Sequence, residues 1–81
     1  MNININKFLE RFNENYNLLY DSKDNIAGYD EALEVGDKFI KEHSEFINEF
    51  NKFRGDILSS DREVVAFMFT LDDMCDWRRG K

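Results

Sequence analysis

The side chains in this sequence that could do chemistry fall into a few short clusters. Asp72, Asp73 and Asp76 set three carboxylates along little more than one helical turn, with Asp72 and Asp76 on one face. Oxygen ligands so placed suit a hard divalent cation. Glu31 and Glu34 form a second acidic pair at helical spacing, and His43 is the only histidine. A histidine acting as a general base needs a nucleophile or an orienting carboxylate within reach. Ser44, beside it in the chain, points off its face. Trp77, Arg78 and Arg79 are of the types that dominate binding hot spots. Each cluster also has a plainer role. Acids three or four apart are what any wet helix face supplies. A lone histidine on an apolar seam is a core-edge imidazole with one hydrogen bond, and a terminal Trp-Arg-Arg closes a bundle while its cations complement a helix C-terminus.

Asp72-Asp73-Met74-Cys75-Asp76 resembles the Asp-Asp-x-x-Asp motif of isoprenoid synthases, which implies magnesium and a diphosphate. Those enzymes need a second carboxylate helix and a cavity larger than this chain can enclose. Glu31-x-x-Glu34 with Asp73-x-x-Asp76 resembles the paired acidic motifs of all-α nucleotide pyrophosphatases, which implies a magnesium-dependent phosphohydrolase. The second pair is Asp where that family has Glu, and the surrounding sequence does not follow it. Tyr29 to Leu33 is similar to the start of the second helix of a tetratricopeptide repeat, and Phe53-Arg54-Gly55 to the turn of small secreted helical hairpins. The first similarity covers five residues and a single repeat is not stable. In the second, the arm after the turn is too short. The residues therefore place this chain in no family.

Charge narrows the partners. The chain has 81 residues and a net charge of -6, unevenly spread. Residues 1–20 balance, with Lys7 and Arg11 against Glu10 and Glu14, whereas residues 21–49 set nine acids against Lys23, Lys38 and Lys41. Residues 56–76 carry six acids against Arg62 alone. Phosphate repels such a surface, so direct nucleic-acid binding is not expected, while a basic protein partner is. Cys75 is the one cysteine, and no charged start leads into an apolar run, so the reading is a soluble, cytoplasmic protein with no membrane span. A composition rich in Asn, Lys, Ile and Phe fits a low-GC bacterium or its phages.

The elements that must position these clusters are helical. Tyr29, Gly36, His43, Phe50 and Ile57 share one core position of a seven-residue repeat, and Ala32, Phe39, Phe46 and Phe53 share the other. Leu33, Ile40 and Ile47 widen this stripe, which predicts a helix packed among neighbours. Gly36 lies on the stripe, where its low helix propensity calls for another helix in close approach. Ile5, Phe8, Leu9, Phe12, Tyr16 and Leu19 give an earlier helix with Asn4 as its N-cap and Ile3 placed to staple onto Phe8. Ser60-Asp61-Arg62-Glu63 is a capping box that opens a last helix. The rival reading of that segment is a strand, because Val64 to Phe69 is rich in β-formers.

These readings give an all-α fold, a small three-helix bundle with a long central helix, spanning residues 1–81 as one domain. The helices run over about residues 5–20, 27–54 and 61–79, and the long one has length to spare for a homodimer. The expected function is that of a small acidic protein-binding module without cofactor or catalytic residues. It would inhibit or regulate another protein, as phage anti-defence inhibitors, immunity proteins and antitoxins do, by mimicking nucleic-acid charge on a basic nucleic-acid-binding enzyme. The expected contacts are Asp72, Asp73, Asp76, Trp77, Arg78 and Arg79, with Glu42, Glu45 and Glu49 on the central helix. A small magnesium-dependent phosphohydrolase and a helical assembly subunit are the alternatives.

Overall fold

The computed structural model describes residues 4–20 and 28–74, which form four helices and no strand. Helix α1 spans Ile5–Tyr20, α2 Tyr29–Glu42, α3 Ser44–Arg54 and α4 Asp61–Met74. The Asn4 side chain accepts from the amides of Asn6 and Lys7 at 3.1 and 3.2 Å, so it caps α1 as its sequence position suggests. Ile3 lies outside the described residues, as do residues 75–79 of the expected third helix.

The long central helix is two helices. It breaks at His43, the only residue between α2 and α3, with φ -125° and ψ 45°. The reason is the size of the core. A straight helix from Tyr29 to Arg54 would run about 39 Å, longer than the 31 Å greatest extent of the Cα atoms. Phe39 and Phe50 would sit about 16 Å apart along such a helix, yet both rings meet Phe67, at 5.9 and 5.2 Å between centroids. The bend turns the stripe around the core. It also turns part of the stripe out of it. Ile47 and Phe50 remain buried and Phe46 is half-buried, while His43, Phe53 and Ile57 lie exposed.

The element at the centre is α4. Val64 through Met68 are buried without a gap, and Thr70 and Leu71 follow. A helix apolar on all sides belongs inside. Helix α4 packs chiefly on α1 and α2, and α3 closes the remaining side. Phe67 meets Phe8 of α1 at 5.0 Å, Phe39 of α2, and both Phe46 and Phe50 of α3. One ring therefore touches all three other helices.

Close approach at Gly36 is observed. The helix is buried there, and a Cβ at Gly36 would collide with Val64 Cγ1 and press on Met68 Cγ at 3.0 Å. Gly55 ends α3 in the left-handed region at φ 85°, which glycine adopts freely. The turn that follows is fastened by side chains. Asn51 Oδ1 accepts from the Leu58 amide at 3.2 Å. The capping box closes, with the Glu63 amide donating to Ser60 Oγ at 3.2 Å and the Ser60 amide to Glu63 Oε1 at 3.1 Å. Glu63 also pairs with Arg54, whose guanidinium lies over the Phe12 ring. Burial by itself raises the Glu63 pKa. The amide and hydroxyl of Ser60, then Arg54 and the Ser59 amide, more than offset it, and the carboxyl sits below its ordinary value.

Two tests come from this packing. Gly36→Ala gains helix propensity of about 1 kcal/mol but overfills a site walled by stiff, β-branched Val64, at a cost of about 1–3 kcal/mol. A lower melting temperature is expected, and a higher one would mean that α2 and α4 are not in close contact. Because the folded pKa of Glu63 is depressed, its contribution is fully present above the ordinary carboxylate value and is lost as pH falls through the folded value. Glu63→Gln leaves Arg54 without its counter-charge and is expected to cost about 3 kcal/mol at neutral pH. Chemical denaturation of both proteins from neutral to acidic pH should show that difference shrink as the acid form of Glu63 takes over.

Candidate partner-binding surface

The nine residues expected to meet a partner divide into three groups. Asp76, Trp77, Arg78 and Arg79 lie outside the described residues. Asp72 and Asp73 stand on the exposed last turn of α4. Glu42, Glu45 and Glu49 follow one another at three-four spacing across the His43 bend, and all three are exposed.

Asp73 has work within the fold. Its Oδ2 accepts from Arg11 Nε at 3.0 Å and from Asn15 Nδ2 at 3.2 Å. Asn15 also donates to Thr70 Oγ1 at 3.0 Å, and that hydroxyl donates to the Ala66 carbonyl at 2.7 Å. Asn15 and Thr70 are buried, so this chain of bonds satisfies polar groups inside the α1–α4 contact. The neighbouring Asp73 carboxylate, followed by Glu14, raises the Arg11 pKa. Sequence reasoning passed over this network. Its signal was Asn15 itself, set between Phe12 and Leu19 on the face of α1 that packs inward.

His43 is exposed rather than seated in a core edge. Its ring stacks on Phe39 at 4.2 Å between centroids, and Nδ1 lies 3.3 Å from the Phe39 carbonyl oxygen. A shallow recess at the bend is lined by Glu42, His43, Ser44, Glu45 and Phe46. A second recess lies between α1 and the end of α4, lined by Lys7, Glu10, Arg11, Glu14 and Met74. Among the described residues, no three His, Cys, Asp or Glu side chains are grouped to hold a metal ion. None of the described helices is long and apolar enough to cross a membrane.

The distribution of cations is as informative as that of the acids. Arg11 is held by Glu14 and Asp73, and Arg54 by Glu63 and the Phe12 ring. Arg62 donates from Nε to the Tyr16 carbonyl at 3.1 Å and lies 3.6 Å from the centre of the Tyr16 ring. All three described arginines are thus engaged by the fold itself. Along α2 and α3, Asp30, Glu31, Glu34, Asp37, Glu42, Glu45 and Glu49 are exposed, against the exposed cations Lys38, Lys41 and Lys52. Glu42, Glu45 and Glu49 make no side-chain hydrogen bond or ion pair with the described residues.

Comparison with protein-family models, with curated proteins and with solved structures finds no match to this chain.

Proposed function

We propose that this chain is a protein-binding module that engages a basic surface of another protein through the acidic side of α2 and α3, and so inhibits or regulates it. The observation that carries this reading is the asymmetry of charge. The described arginines are tied into the fold, while acids along α2 and α3 stand open to solvent. A field of one sign steers a partner of the other sign and speeds their encounter. Glu42, Glu45 and Glu49 are the central contacts. Glu42 and Glu45 line a recess together with Phe46, where an arginine or lysine of the partner would find both carboxylate and apolar surface, and Glu49 stands one turn further along α3. Asp72 adds acid on the exposed last turn of α4. Asp73 contributes less, because Arg11 and Asn15 already occupy its oxygens. A nucleic-acid-binding enzyme is the natural target, since its phosphate-binding groove supplies the basic surface.

The test is the triple variant Glu42→Gln, Glu45→Gln, Glu49→Gln. Its helicity should match the parent and its melting temperature should fall only slightly, because the three side chains make no hydrogen bond or ion pair with the described residues and only Glu45, in the first turn of α3, favours its helix. Affinity for a partner protein captured on the parent chain from cell lysate, measured by calorimetry at low and high salt, should fall at least tenfold at low salt, with a shallower salt dependence. Equal affinity and an equal salt slope would contradict this reading of the surface.

A further inference from the structure

We infer that His43 is a hinge, and that opening it lets two copies of this chain exchange halves through a continuous α2–α3 helix. Little separates the bent form from a straight one. One residue departs from helical torsion angles, and backbone hydrogen bonds reach it from both sides. The His43 amide donates to the Phe39 carbonyl at 2.8 Å, and the His43 carbonyl accepts from the Ile47 amide at 3.1 Å. Neither proline nor glycine stands at the break, where the sequence reads Glu42-His43-Ser44-Glu45. Nothing local demands a bend. Packing imposes it, by drawing Phe39, Phe46 and Phe50 around the same Phe67 ring.

The hinge also divides the core in a particular way. On one side lie α1 and α2, and on the other α3 and α4. The main helix packings, α1 with α4 and α2 with α4, both cross that division, as do the Phe8–Phe46, Phe8–Phe50 and Phe12–Phe50 ring pairs. Straightening at His43 therefore separates two half-cores whose missing partner has the same sequence. A second copy supplies it, because the same helices and rings that part within one chain can pack again between two chains. Hinges this short favour exchange over closure when chains are concentrated. The apolar pattern agrees. His43, Phe53 and Ile57 belong to the three-four stripe of Tyr29 to Ile57 yet are exposed in the bent form, and Phe53 and Ile57 are among its exposed large apolar side chains. Across a continuous helix His43 and Phe53 come into one stripe with Ala32, Gly36 and Phe39 of α2, whereas Ile57 stays in the turn beyond Gly55, so the straight form answers to a part of the sequence pattern that the bent form leaves exposed.

The test changes the hinge alone and reads both mass and shape. His43→Ala raises helix propensity at the break and His43→Gly lowers it, while glycine still accepts the bent torsion angles. Each chain is refolded at high concentration beside the parent, and dimer formation is measured by light scattering. With two hinges per dimer, the dissociation constants of the two variants should differ by about 30-fold, alanine tighter. Spin labels at Lys38 and Lys52, in a Cys75→Ser background, report the shape within one chain. Dimers should show the Cα separation of a continuous helix, about 21 Å, and monomers a shorter one. If the parent and the alanine variant give only monomer, or if dimers keep the shorter distance, the exchange does not occur.

Discussion

The ring of Phe67 is the point on which the fold depends. Its centroid lies within 6 Å of rings from α1, α2 and α3, so a single side chain sets the distance of every other helix from α4. Each aromatic pair of this kind adds about 0.5–1.5 kcal/mol beyond the area it buries, and Phe67 makes four. Other features follow from reaching that ring. Gly36 lets α2 come close enough to α4 for Phe39 to arrive, and the break at His43 lets Phe46 and Phe50 arrive from the same chain segment. In a domain of this size the core is too small to be served by a straight 26-residue rod.

Polar groups are arranged around that apolar centre so that burial leaves few of them stranded. Thr70 and Asn15 complete one another between α1 and α4. Glu63 and Arg54 tie the α3–α4 turn, although Arg54 Nη1 is buried without a hydrogen-bond partner and rests on aromatic contact instead. Arg11 pairs with Glu14 and Asp73 at the edge of the same α1–α4 contact, and Arg62 lies on Tyr16. The acidic character of the surface follows from the composition, 17 acids against 11 Lys and Arg.

Much of the local structure was legible in the sequence. The Asn4 cap, the Ser60–Glu63 box, the Gly55 terminus and the close contact at Gly36 each rest on chemistry confined to a few residues. The break at His43 was not legible, because an unbroken three-four stripe fits a straight helix as well as a bent one, and curvature is decided by what the stripe must surround. The central place of α4 was misread for a related reason. Val64 to Phe69 is rich in β-formers, which suggested a strand as a rival, whereas a run without a polar face is also the mark of a helix enclosed on all sides. Of the candidate surface, Glu42, Glu45 and Glu49 stand exposed as their spacing suggested. The internal duty of Asp73 depends on α1 and α4 meeting side by side, which no local pattern encodes.

If α4 is the enclosed element on which the other helices are assembled, it must be the last to open. Native-state hydrogen exchange, read residue by residue, measures this directly, since amides in the most stable unit exchange only through global unfolding. The slowest exchange is expected at Val65, Ala66, Phe67, Met68 and Leu71, with α3 opening earlier. Slowest exchange in α2, with α4 amides faster than those of its neighbours, would contradict it.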